Sequence, residues 1–301
     1  MASLRAPVAE TLSKNPQHTV PPISLRRRFT DHAMTGVAIL TVVLVLVPLV
    51  AIFGYLLYRG FASVNWAFLT QLPKPEGETG GGVVNGIVGS GIILGIASLI
   101  GVPMGIGAGI YLAEFGRNRL GDSVRFTADV LNGVPSIVIG IVAYAIVVLY
   151  QKHFSALAGG VALAIMMIPT ITRTTEEMLL LVPQALREAA YGLGVPRWRT
   201  TLSITLRTAT SGVITGVMLA FARIAGETAP LLFTTLGNEF WNIKLNQPTA
   251  ALPLQVFNYA KSPYDDLHRQ AWAGALVLII LIVSAISAVR YTVRRGSFGA
   301  A

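Results

Sequence analysis

Glu188-Ala189-Ala190-Tyr191-Gly192-Leu193-Gly194, followed after nine residues by Ile204-Thr205-Leu206, is the stretch that decides how this chain folds. Helix-forming residues lead into it at Glu176 to Leu181 and Gln184 to Ala190, and Gly192, Gly194 and Pro196 then break the helix. A second short helix is predicted from Trp198 to Leu206. Long apolar runs flank the segment on both sides, so the pattern is a helix, a turn and a helix projecting from a bilayer face. A rigid helix in that position can insert into a partner's groove and transmit motion. An amphipathic helix resting on anionic lipid would explain the arginines here, but neither the paired glycines nor the register of Ile204 and Leu206.

Working outward, six apolar runs recur, near Gly36 to Tyr58, Val83 to Tyr111, Val130 to Tyr150, Leu157 to Ile171, Ser211 to Leu232 and Ala271 to Tyr291. The 301 residues are 53% hydrophobic and 12% charged, where soluble domains carry about 25% charge. An all-α chain that crosses a membrane six times follows. The first run is longer than the apolar core of a signal peptide and lacks a small-x-small cleavage site, so it is expected to remain as a span. Pro48, Pro103 and Pro169 fall within runs, where each should kink its helix or free a carbonyl.

The charges give the orientation. With both termini inside, most of the 23 basic residues lie in cytoplasmic segments, among them the run Arg26, Arg27 and Arg28. The outer side keeps Arg59, Lys74, Lys152, Lys244, Lys261 and Arg269. The reverse orientation would invert a strong positive-inside bias. That same distribution accounts for the net charge of +9. Nucleic-acid binding would need the basic residues gathered on one soluble face, which they are not.

The chain has no Cys, which removes disulfides and thiolate chemistry, and its His18, His32, His153 and His268 are scattered rather than spaced as metal ligands. Despite 30 glycines, no phosphate-cradling G-x-x-x-x-G-K-S/T occurs. Any ATP hydrolysis must come from another chain. The second run carries Gly86, Gly91, Gly95, Gly101, Gly105 and Gly109, several at the four-residue spacing that lets helix backbones approach closely.

One motif calls for a functional reading. Ala222-Arg223-Ile224-Ala225-Gly226-Glu227-Thr228-Ala229-Pro230 puts an ionised Arg inside the fifth run, at a cost of about 2.5–3.5 kcal/mol or more. Glu227, four residues on, would share its helical face and neutralise it. Either the pair is a structural clamp, or the planar guanidinium of Arg223 offers its fork to an oxyanion in a water-filled path, with Glu227 preventing too tight a hold. Arg173 and Glu176 could also pair on a helix; close to water, such a pair is worth little in itself.

The segment Glu188 to Leu206 closely resembles the E-A-A-x-x-x-G-x9-I-x-L-P loop of ABC importer permeases, with Glu188, Ala189, Ala190, Gly194, Ile204 and Leu206 in register and Arg207 where the pattern ends in proline. The resemblance implies the type I importer permease fold and a coupling helix received by an ATPase subunit. The run Ala222 to Thr234 resembles, more narrowly, permeases of ATP-driven phosphate importers, as do Asn132 to Gly140 and Ala271 to Gly274. It implies roles for Arg223, Glu227, Arg173 and Glu176 in phosphate translocation. It also implies an assembly with a second homologous permease, two ATPase subunits that carry the ATP and Mg, and an extracytoplasmic phosphate-binding protein. No cofactor is expected on this chain itself. The aromatic outer segment, with Phe240, Trp241, Phe257, Tyr259 and Tyr264, suits docking of that protein.

The expected organisation is a cytoplasmic tail over 1–35, a first span and outer loop over 36–82, a core over 83–293 containing a coupling loop at 173–210, and a cytoplasmic tail over 294–301. The alternatives are a permease for another oxyanion (phosphonate, sulfate or molybdate), a membrane-embedded enzyme and a secondary transporter. The enzyme would need a nucleophile with its base or a metal cluster, and neither is evident. The secondary transporter would show inverted halves rather than one ATPase-docking loop.

Overall fold

The computed structural model describes residues 25–298. Residues 1–24 of the tail expected over 1–35, and 299–301 of the tail expected over 294–301, lie outside them. Eleven helices follow one another among the described residues: α1 Leu25–Ser63, α2 Trp66–Thr70, α3 Val84–Phe115, α4 Arg119–Gly133, α5 Ser136–Gln151, α6 Ala156–Leu180, α7 Gln184–Gly192, α8 Arg197–Ala225, α9 Ala229–Thr234, α10 Leu252–Lys261 and α11 Asp265–Phe298. Single π-helical turns interrupt α5 at Tyr144–Val148 and α8 at Thr201–Thr205. Five helices are long and apolar enough to cross a membrane, and α4 with α5 makes a sixth if that bent pair counts as one span.

The chain divides after Gly54 into two units. Before that point lies the stretch 25–54 of α1, whose large hydrophobic side chains are exposed on all sides, as suits a helix solvated by lipid. Residues 25–35, expected in the polar tail, are already helical. Pro48, Pro103 and Pro169 each lie inside a helix that continues past them.

The core of the second unit is the pairing of α3 with α6. Gly101, Gly105 and Gly109 repeat every four residues along one face of α3 and take Met167, Ile171 and Thr175 of α6 directly against the backbone. A Cβ on Gly105 would sit 2.7 Å from that of Ile171. In lipid, where apolar burial between helices gains little, such contact is what holds a bundle. Gly91, Gly95 and Gly107 face open space, and Gly86 and Gly89 pack instead against Leu252 and Ala250, so only part of the glycine pattern forms the seam with α6. Ile93, Leu163, Met167, Ile171 and Ile224, all buried, extend the core towards α8.

Two of the expected spans are broken. Pro135 forces Val134 into extended backbone (φ −70°, ψ 133°), and α4 meets α5 at 108°. The run expected at Val130 to Tyr150 straddles this corner. The run expected at Ser211 to Leu232 is interrupted at Gly226–Thr228, and Pro230 then opens the short α9. The expected loop 173–210 is shorter than the sequence suggests. Residues 173–180 belong to α6, and the second short helix expected at Trp198 to Leu206 is the beginning of the long α8. Arg207, standing at the proline position, lies inside α8 and ends nothing.

The bundle has two chemically different ends. The knob end gathers the C-terminus of α3, the helix α4, the C-terminus of α6, α7 and the start of α8. At the far end, the segment 235–251 folds onto the start of α6 through Ala156 N to Gln247 O (3.1 Å) and Leu157 N to Leu245 O (3.0 Å). There Asn85 of α3 also donates to Asn238 O (2.6 Å), and Ser90 accepts from Leu252 N (2.8 Å).

Candidate transport pathway and coupling surface

The knob is built from a short helix and a glycine turn. Pro183 (φ −55°) fixes the entry to α7, and the exit closes with Leu193 N to Ala189 O, Gly194 N to Tyr191 O and Val195 N to Ala190 O at 3.2, 2.9 and 3.1 Å. Gly194 has φ +77° and open space where a Cβ would stand. Glycine is required there by backbone conformation, not by crowding. Of the motif residues, Glu188, Ala189 and Gly194 are exposed, Ala190 is buried, and Ile204 and Leu206 are half-buried on α8. Leu193, Trp198 and Leu202 are exposed around the turn, Leu193 to 85%. The sequence reading passed over these three, although large apolar side chains next to breakers in a basic segment are a docking signal.

What makes the knob rigid is Arg187. Its guanidinium lies 2.7 Å from Glu114 Oε1 near the end of α3 and donates to the carbonyl of Leu179 on α6 at 2.8 Å. The two ionic side chains are only 16% and 9% exposed. One residue of α7 is thereby tied to both helices of the glycine seam.

Beside it stands a larger ionic cluster. Glu176 on α6, expected near water, is buried; its two carboxylate oxygens accept from Arg125 of α4 at 2.6 Å and from Arg173 at 2.8 Å. Arg173 also reaches Asp129 at 2.9 Å. Arg125 pairs with Asp122 and donates to the carbonyls of Gly116 and Leu112, which satisfies the open end of α3. Thr170 donates to Asn132 at 3.0 Å across the same two helices. The structure thus brings Arg173 and Glu176 together as the spacing implied, and adds Arg125 and Asp129, which local spacing along one helix could not reveal.

The other expected pair is not formed. Arg223 occupies the last turn of α8, which ends at Ala225, and Glu227 lies beyond the Gly226 cap with its backbone N donating to Ile224 O at 3.2 Å. The i,i+4 geometry needs an unbroken helix, and among the described residues no ion pair joins the two. Arg223 is exposed and Glu227 half-buried. A cation in the last turn is favoured by the unpaired carbonyls there. Meanwhile Ile224 and Ala225 are buried and, with Ile93, Leu94 and Leu163, line a small void between α8 and its neighbours. The Arg is therefore held at a fixed place, with its charge uncommitted.

At the far end, Phe240, Trp241 and Ile243 are exposed, whereas Tyr259 is partly buried and bonded to Gln255 at 2.8 Å. A cavity of about 410 Å³ opens there, lined by Asn238, Glu239, Gln255, Asn258 and Lys261 among others. Among the described residues no group of His, Asp or Glu could hold a metal ion.

Residues 105–297 match the family described as binding-protein-dependent transport system inner membrane component. A chain of the MetNI methionine ABC transporter, solved in inward-facing conformations, superimposes with a TM-score of 0.54 at 17% identity, covering 70% of this chain and 94% of that one. The fold is that of an ABC importer permease. The phosphate transport system permease protein PstA of Yersinia pestis is 49% identical over 226 residues, 75% of this chain and 77% of the relative. That of Haemophilus influenzae is 43% identical over 258 residues, 85% and 91% of the two chains, and PstA 1 of Mycobacterium tuberculosis is 35% identical over 269 residues, 87% and 88%. The chain belongs to the PstA family of phosphate transport system permeases.

Proposed function

We propose that this chain forms one half of the transmembrane path of an ATP-driven inorganic phosphate importer in the bacterial inner membrane, with both termini and the knob in the cytoplasm. A second, homologous permease completes the path. Two ATPase subunits supply ATP hydrolysis, one of them receiving α7 with Leu193, Trp198 and Leu202. A phosphate-binding protein delivers its cargo to the far end, where Phe240, Trp241 and the adjoining cavity present themselves. The chain is itself non-catalytic.

The observation that carries the pathway reading is the exposed, uncommitted guanidinium of Arg223 at a helix end inside a membrane-spanning region. Facing lipid, such a charge costs at least about 2.5–3.5 kcal/mol. Irregular backbone at membrane depth is tolerated only where it is covered by protein or lines water. Arg223 and the break at Gly226 both satisfy this rule if they face the path shared with the second permease. A planar fork is suited to two phosphate oxygens, and a conducting site must bind them weakly enough to release them.

The motion follows from the anchoring. When the ATPase pair closes, α7 is displaced, and Arg187 carries that displacement to α3 and α6 together. These move as one body because their glycine seam leaves no slack. The test is Arg223→Gln in the assembled complex. Phosphate uptake should be lost while membrane insertion and co-purification with companion subunits persist. Unchanged uptake would refute the pathway role, and failure to find a phosphate-binding partner or an ATPase among the co-purified chains would refute the importer itself.

A further inference from the structure

At the far end, a cavity of about 920 Å³ separates the last turns of α1 from the first turns of α11. Arg59, Asp265, Asp266, His268, Arg269 and Trp272 contribute to its lining. Its aromatic floor is Tyr55 against Trp272, edge to face with ring centroids 5.0 Å apart. The charges around it differ in how they are occupied. Asp266 accepts from Gly80 N at 3.2 Å, Gln270 at 2.9 Å and Arg269 at 2.7 Å, so it is satisfied and holds Arg269 with it. Among the described residues, Arg59 has only the phenol of Tyr55, as a hydrogen bond of 3.1 Å and beneath its guanidinium, and no carboxylate in ion-pair range. Asp265, exposed on the same rim, has no partner among the described residues. One cation and one anion are thus left uncommitted around a single polar cavity.

The position adds a second constraint. Arg59 follows the apolar stretch of α1 and Asp265 precedes that of α11, so both lie at a membrane boundary, with Tyr55 and Trp272 at the depth where aromatic belts sit. An apolar groove of about 310 Å³ adjoins the cavity through the shared residues His268 and Trp272 and is lined by Val256 and Ala260 of α10 with Ala271 and Ala275 of α11. A polar pocket of balanced charge beside an apolar groove, at that depth, matches a molecule with a zwitterionic head and a hydrocarbon tail.

We infer that this is a binding site for a phospholipid bearing a primary ammonium headgroup. Arg59 takes the phosphodiester, Asp265 the ammonium, and one acyl chain enters the groove past Trp272. A free phosphate ion shares the phosphodiester's chemistry, but it would use neither Asp265, which repels it, nor the groove.

The test is native mass spectrometry of the full chain in detergent, with dioleoyl phosphatidylethanolamine, dioleoyl phosphatidylglycerol or inorganic phosphate as probe. The ethanolamine lipid should be retained about tenfold better than the glycerol lipid, the equivalent of one charge-assisted hydrogen bond. Arg59→Gln should weaken both lipids, and Asp265→Asn should abolish the discrimination between them. Ala260→Phe, which fills the groove without touching a charge, should also weaken both. Equal retention by the unaltered chain, or retention indifferent to these substitutions, would overturn the inference. Displacement of lipid by millimolar inorganic phosphate would assign the cavity to the free anion instead. Loss of the lipid when the chain assembles with its companion subunits would assign it to a protein partner.

Discussion

Replacing Arg187 by Gln tests whether α7 moves rigidly with the bundle. The substitution leaves Glu114, 9% exposed, without its cation, and the Leu179 carbonyl without its donor. Removing one member of a buried pair costs about 3–5 kcal/mol, most of it the penalty of the charge left behind. That corresponds to a shift of about a hundred- to several-thousand-fold away from the anchored state. Glu114→Gln should cost a similar amount. The double substitution to Met at both positions removes the stranded charge and should cost far less than the two singles together. Two readouts on the assembled complex in liposomes separate anchoring from folding: ATP hydrolysed per phosphate transported, and thermal retention of the subunits in one complex. Arg187→Gln should raise the ATP used per phosphate at temperatures where the complex stays intact, because ATPase closure then moves a loosened helix. Normal coupling in an intact complex, or strictly additive single effects, would refute the strap.

Other substitutions probe separate elements. Gly105→Leu should destabilise the bundle by about 1–3 kcal/mol or more, since even a Cβ meets Ile171 at 2.7 Å, whereas Gly107→Leu on the open face should be near neutral; thermal stability in detergent distinguishes them. Gly194→Val forces a β-branched residue to φ +77° at about 1–3 kcal/mol, and Gly194→Asn, which tolerates that region, should preserve more ATPase co-purification. Leu193→Asp, at an 85% exposed position, should leave the fold intact while reducing ATPase recovery in pull-downs.

How much of this was legible in the sequence depends on the range of each interaction. Apolar runs and the Gly192 to Pro196 break are local properties, and they gave the spans and the knob. The corner at Val134 was equally local, since Gly133 and Pro135 stood in the quoted motif, but the surrounding hydropathy outweighed two breakers. The supposed Arg223–Glu227 pair failed in the same way. Gly226 between the two residues and Pro230 beyond them signal a helix end, and an i,i+4 argument holds only within a helix. The contacts of Arg125 with Glu176 and of Arg187 with Glu114 join residues far apart in the chain. No single-sequence pattern encodes such pairs.

The two arginines linked by resemblance to phosphate translocation are therefore physically unlike. Arg223 carries an uncommitted charge beside a helix break, and an arriving oxyanion would meet it without displacing a carboxylate. Arg173 is held by Glu176 and Asp129, in a cluster where Arg125 and Arg173 are opposed by Asp122, Asp129 and Glu176. That cluster is net negative, so as built it repels phosphate. Its geometry suits a latch between α4, α6 and the end of α3. Glu176→Gln should accordingly lower the stability of the bundle and of its complex, because it removes the buried carboxylate that joins Arg125 to Arg173 and leaves each only an exposed Asp. Any loss of uptake should follow that loss of assembled complex. Arg223→Gln should do the reverse, abolishing uptake at full assembly. A Glu176→Gln complex that is as stable as the unaltered one, yet fails to transport phosphate, would place Glu176 in the pathway and remove the distinction.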